Sequence, residues 1–87
     1  MSRQRRLEVI EAAEYVTIGE LVRLTGARYS TLKYYTEEGM LPFEQEEENL
    51  TRRYKRTAAI MRIEYIKQMK QNGYSISQIK KMLCPET

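Results

Sequence analysis

Fifteen lysines and arginines are the residues of this chain with chemistry to offer, because most alternatives are missing. There is no histidine, a single cysteine (Cys84), and all twelve acids are glutamate. Metal coordination, histidine-based acid–base work and disulfide stapling need residue types that this composition withholds. Cys84 reads as a spectator, since a redox or metal sensor needs more ligands than the chain provides. No nucleophile–base pair, metal cluster or phosphate-cradling glycine loop is legible, which argues against an enzyme and implies no cofactor. Guanidinium and ammonium groups pair with phosphate oxygens and with the acceptors of guanine.

The cations are not spread evenly. Thr36 to Glu48 holds six glutamates (Glu37, Glu38, Glu44, Glu46, Glu47, Glu48) and no lysine or arginine. Asn49 to Leu83 holds nine basic residues against one acid, Glu64. The formal net charge of +3 therefore averages an acidic stretch with a strongly basic remainder. A small domain with one basic face has the electrostatic footprint of a polyanion binder. A solvated helix surface with incidental lysines is the competing explanation.

Eighty-seven residues make one domain at most, and 41% hydrophobic content suffices for one small core. No apolar run approaches the roughly 18 residues of a membrane span. Met1-Ser-Arg-Gln-Arg-Arg lacks the apolar stretch of a signal peptide. A soluble protein of a reducing, cytoplasmic compartment is expected.

The elements that must carry these cations are marked by caps and glycines. Thr17-Ile-Gly-Glu20 fits a capping box and opens a helix bearing Ile18, Leu21, Val22 and Leu24, which Gly26 closes. A second helix runs from about Tyr29 to Glu38, with Leu32 and Tyr35 inward; Gly39 stops it and Pro42 prevents its resumption. Two short helices about a glycine-containing break form a helix-turn-helix pattern. Phe43 to Tyr54 reads as a loop or short hairpin. A longer helix follows over about Lys55 to Gln71, its stripe Ala59, Ile63, Ile66 and Met69 with Ile60 beside it. Ser75-Ile-Ser-Gln78 is a second capping box, opening a last helix with Ile76, Ile79 and Leu83 on one face. Arg3 to Tyr15 reads as an added amino-terminal helix with Leu7, Ile10 and Ala13 in a row.

These pieces fall in a recognisable order. Tyr15-Val-Thr-Ile-Gly-Glu-Leu-Val-Arg-Leu-Thr-Gly26 is followed by Thr31-Leu-Lys-Tyr-Tyr35, Glu38-Gly-Met-Leu-Pro42, Arg52-Arg-Tyr54, Ile66-Lys67 and Gly73-Tyr-Ser-Ile-Ser-Gln-Ile79. The chain resembles the DNA-binding domain of the MerR (mercury-resistance regulator) family of bacterial transcription factors, from about Tyr15 to Leu83. The resemblance implies a mainly α fold: a winged helix-turn-helix with a small two-stranded wing, two further helices and an extra amino-terminal helix. The organisation expected is a helical extension over 1–14, the DNA-binding domain over 15–83 and a tail over 84–87.

It also implies a function. The helix over 29–38 would enter the major groove of double-stranded DNA, and the wing would lie along the flanking backbone. Family members act as dimers on palindromic promoter sites, and many distort the DNA centre. The implied DNA-facing set is Thr17, Arg28, Tyr29, Ser30, Thr31, Lys33, Tyr34, Tyr35, Arg52, Arg53, Tyr54, Lys67 and Lys70. Helical spacing puts Ser30, Lys33, Tyr34 and Glu37 on one face, opposite Leu32 and Tyr35. Arg28 stands where a small capping residue is usual, which weakens the cap or moves the helix start to Ser30. Tyr34 and Tyr35 match the family's phosphate-gripping pair; for Tyr35, core packing and a phosphate contact are compatible. Lys67 and Lys70 would neutralise phosphates, with a plain surface role as the alternative.

The wing departs furthest from the family. Glu44, Glu46, Glu47 and Glu48 stand where basic residues are usual, and Leu50-Thr51 replaces a Gly-Tyr pair. Such a wing turns away from DNA, meets a protein partner, or blunts non-specific binding. Full-length regulators continue into a dimerising helix and an effector domain, whereas this chain ends four residues after Leu83. Three readings follow: a cut domain, a natural short protein such as a phage or plasmid regulator or recombination directionality factor, or dimerisation through the amino-terminal helix by Leu7, Val9 and Ile10. Sequence-specific regulation at the bacterial nucleoid is the leading expectation. An architectural or accessory DNA binder assembling on DNA, and a protein-interaction adaptor using the acidic loop 44–48, are the alternatives.

Overall fold

Both capping boxes form. Thr17 Oγ1 accepts from the Glu20 amide at 3.2 Å while a Glu20 carboxylate oxygen accepts from the Thr17 amide at 2.9 Å. Ser75 and Gln78 repeat the exchange at 3.1 and 2.8 Å. The computed structural model describes residues 5–45, 47 and 51–83. In chain order these form α1 (Leu7–Ala12), β1 (Tyr15–Val16), α2 (Ile18–Thr25), α3 (Tyr29–Glu37), β2 (Tyr54–Lys55), α4 (Arg56–Gln71) and α5 (Ile76–Leu83). The architecture is a mainly helical winged helix-turn-helix. Arg3, Glu46, Glu48, Leu50 and Cys84, all singled out above, lie outside the described residues.

Gly26 ends α2 in the left-handed conformation at φ 74°, where an L side chain would be strained, and its amide donates to the Val22 carbonyl. This tight exit lets α3 start at Tyr29 while α2 and α3 remain packed together. Arg28 is the N-cap of α3, with extended backbone and no side-chain cap bond. The helix therefore starts where the pattern puts it, without the usual capping hydrogen bond.

The core gathers Ile10, Val16, Leu21, Leu32, Tyr35, Met40, Leu41, Tyr54, Ala59, Ile63, Ile66 and Ile79. Apolar burial of this kind is the main favourable term in folding. The stripe read on α4 faces inward as expected, with Met69 and Ile60 partly buried at its margin.

The sheet differs from a simple wing hairpin. β1 pairs antiparallel with β2, Tyr15 opposite Lys55 and Val16 opposite Tyr54. The arms of the wing meet in a bridge between Glu44 and Arg53, closed by amide-to-carbonyl bonds of 2.7 and 2.9 Å. The outgoing arm thus pairs first with the incoming one and then with the strand before α2.

Two expectations for the amino terminus are corrected. The helix does not run from Arg3 to Tyr15: among the described residues it starts at Leu7 and ends at Ala12, where Ala13 turns to extended backbone at φ −76° and ψ 143°, and the next carbonyls are bound by the start of α4. The Arg56 guanidinium donates to the Ala13 carbonyl at 2.7 Å, and the Arg56 amide donates to that of Glu14 at 2.9 Å. Ile10 is no dimer contact, because it is fully buried in the chain's own core; Leu7 and Val9 remain exposed. Arg62 is also bound to the scaffold, donating to the Met40 carbonyl at 2.9 Å.

Candidate nucleic-acid interface

The orientation of α3 follows from its buried face. Leu32, Tyr35 and Thr36 point into the core. At 3.6 residues per turn this sends Tyr29, Ser30, Lys33, Tyr34 and Glu37 outward, and all five are exposed. Tyr29 and Tyr34 are 55% and 46% exposed.

The adjacent tyrosines therefore part company. Tyr35 is 5% exposed, with its ring centroid 6.1 Å from that of Tyr34. Burial, reinforced by the neighbouring Tyr34, pushes the Tyr35 phenol above the ordinary tyrosine value, so it remains a donor across the physiological range.

Two grooves flank α3. On the wing side, Tyr29, Lys33 and Glu37 face Arg52 and Thr51. The Arg52 guanidinium lies 4.7 Å from the Phe43 ring centroid, in cation–π range, and its Nη1 is 3.6 Å from a Glu37 carboxylate oxygen. On the opposite side, Arg28, Thr31, Lys67 and Lys70 share a groove floored by the α2–α3 turn and by Tyr35. Residues far apart in sequence, on α3 and α4, are thus brought beside one another.

Arg52 and Arg53 serve different grooves. Successive residues of an extended arm point to opposite faces. Arg53 borders a third groove with Arg5, Thr17 and Thr51, away from α3. In that groove Arg5 makes a two-pronged pair with Glu20 at 2.7 and 2.8 Å and donates to the Tyr15 carbonyl at 3.1 Å. Thr17 is partly buried and its hydroxyl oxygen is engaged as the α2 cap.

Tyr54 is a correction. It was expected on the DNA-facing surface, yet it is 0% exposed. The Thr36 hydroxyl donates its hydrogen to the Leu32 carbonyl at 2.8 Å, so the 2.9 Å contact between Thr36 and Tyr54 has the phenol as donor. Its role in this fold is to tie the wing base to the buried side of α3.

The family model described as MerR HTH family regulatory protein matches residues 16–84. The chain belongs to this family. No curated protein and no solved structure gives a significant match. MerR membership makes this a helix-turn-helix domain of a DNA-binding regulatory family rather than an enzymatic one. No described helix is long and apolar enough to cross a membrane.

In this MerR-family chain Glu44 of the acidic wing is engaged with Tyr15 rather than with α3. Glu44 accepts from the Tyr15 hydroxyl at 2.9 Å, which together with the nearby carboxylate charge raises the Tyr15 pKa. Glu47 is exposed. Sequence reasoning missed Phe43 as the platform of Arg52 and Glu37 as its counter-ion. Reading 43–54 as a hairpin about the Glu44–Arg53 pair would have found Phe43, since that register sets it opposite Tyr54 and diagonal to Arg52.

Proposed function

We propose that the chain binds double-stranded DNA sequence-specifically as a bacterial transcriptional regulator, with α3 in the major groove and Arg52 and Arg53 on the flanking backbone. The observation that carries this reading is the outward face of α3, with Lys33 at its centre, between two cation-lined grooves. An α-helix is about 10–12 Å across with its side chains, and the roughly 12 Å-wide major groove admits one. Lys33 is the base reader, able to meet guanine acceptors; Ser30 and Thr31 lie beside it for base or phosphate contacts. Arg28, Lys67 and Lys70 take phosphates on one flank, Arg52 on the other. Tyr34 offers its exposed hydroxyl to the backbone.

The test is affinity measured against salt on a selected duplex and on random duplexes. Log affinity is expected to fall linearly with log salt. Lys33→Ala should reduce discrimination at its base pair by about 1–3 kcal/mol, whereas Arg52→Ala should weaken all duplexes alike. Equal binding of every duplex at every salt concentration would overturn the regulator reading.

A further inference from the structure

Arg52 already has two partners in the free protein. Its guanidinium sits between a ring on one arm of the wing, Phe43, and a carboxylate on the last turn of α3, Glu37. The two supports differ in kind. Phe43 offers the guanidinium a ring face and no acceptor oxygen, so it does not compete for the N–H groups. The Glu37 carboxylate, 3.6 Å from Nη1, is at ion-pair rather than hydrogen-bond distance, and it competes for the same positive charge that a phosphate oxygen needs. Both side chains of the ion pair are substantially exposed, Arg52 at 38% and Glu37 at 52%, and both border the wing-side groove with Lys33. A sugar-phosphate backbone entering that groove meets a cation already holding an anion.

We infer that Glu37 is an internal stand-in for a DNA phosphate. It holds Arg52 beside α3 in the free protein and gives it up when a duplex docks, so Glu37 sets how tightly any duplex is gripped on the wing side. This inference rests on the DNA-binding reading above. Phe43 keeps the guanidinium in place while its partner changes, and is a positioning residue. The exchange replaces a carboxylate by a phosphate beside the guanidinium, and it leaves Glu37 as an unpaired negative charge facing the backbone. Both consequences lower affinity irrespective of base sequence. They part company when Arg52 is absent: repulsion by Glu37 persists, while competition for Arg52 disappears.

The experiment is a double-mutant cycle on the full chain, comparing Glu37→Gln, Arg52→Gln and the double variant. Affinities are measured for a selected and a random duplex at low and at moderate salt. Thermal melts confirm that each variant folds, as expected for exposed positions. Glu37→Gln should tighten both duplexes by about two- to fivefold, the range an exposed ion pair supports. The same change made in the Arg52→Gln background should tighten them clearly less. Equal tightening in both backgrounds would show simple repulsion and overturn the inference while leaving the DNA-binding reading intact. Weakening by Glu37→Gln would also overturn it, by making Glu37 a DNA contact. If the wild-type chain binds neither duplex at low salt, the DNA-binding reading itself fails and the inference falls with it.

Discussion

On the α4 side of α3, Arg28, Lys67 and Lys70 border a groove with a single carboxylate, Glu64, and among the described residues none of the three cations is in an ion pair. On the wing side, Arg52 lies over the Phe43 ring and is paired with Glu37. The two grooves carry the same sign of charge in different conditions. Exposed lysines keep their hydration and counter-ions until DNA displaces them, which yields the counter-ion release that drives salt-dependent binding. A guanidinium whose charge is partly offset by its own protein has less to release. Counting cations along the sequence treats these cases as equal; their partners make them unequal. The same holds more strongly for Arg56 and Arg62, whose N–H groups donate to carbonyls of the scaffold.

The sharpest way to break the comparison is to remove what fixes one groove against the other. Tyr54 joins the wing base to α3 through Thr36, and its ring lies 6.2 Å from that of Phe43. Tyr54→Ala should destabilise the domain by about 3–5 kcal/mol, as other buried aromatic truncations do. Tyr54→Phe keeps the packing and deletes the phenol donor, for a loss of about 0.5–1.5 kcal/mol. Denaturant unfolding followed by circular dichroism measures both. A Tyr54→Ala protein as stable as wild type would mean that the wing base and α3 are held together by other groups.

A smaller effect separates the grooves directly. Replacing Lys67 and Lys70 together by alanine should reduce the slope of log affinity against log salt by about 2, close to one for each phosphate left without its lysine. Arg52→Ala should reduce it by less than one, because Glu37 partly offsets that charge. The measurement is a fluorescence-anisotropy titration at four or five salt concentrations. Equal slope changes per cation on the two sides would erase the distinction between paired and unpaired charge.

Much of this arrangement was legible in the residues. The two capping boxes, the left-handed Gly26 and the inward faces of α3 and α4 stand where local spacing puts them, because caps and helical periodicity are short-range properties. Three features were not legible for a common reason: each depends on a partner distant in sequence. Tyr15 reads as the end of a helix, but it and Val16 pair with Lys55 and Tyr54 as a strand. Tyr54 follows two arginines in a stretch that resembles a DNA-contacting wing exit, yet it points into the core while Arg53 points out. Arg52 could be named as a DNA contact, but not as a cation lying over Phe43 and paired with Glu37. A two-residue strand leaves too little pattern to mark its inward side.

The third groove supplies the mildest test, because one of its two cations, Arg5, is also paired but lies away from α3. Hydrogen bonding from Arg5 holds the Glu20 carboxyl below its ordinary range; partial burial opposes this, while bonds from the Thr17 amide and hydroxyl assist. A carboxylate whose folded pKa is depressed contributes stability above its unfolded value, about 4.3, and loses it as pH falls through the folded value. Acidification from pH 6 through the low-pH end of the carboxylate range should therefore loosen the contact between the segment carrying α1 and the start of α2. The Arg5 side chain is 43% exposed, so solvent screening limits the contribution to about 1 kcal/mol or less. Arg5→Ala should lower stability at pH 6 by an amount of this order and flatten the acid limb between pH 5 and pH 3, as read from denaturation midpoints at each pH. An unchanged acid limb in Arg5→Ala would assign the acid sensitivity to other glutamates and leave the Arg5–Glu20 pair as a surface contact without energetic consequence.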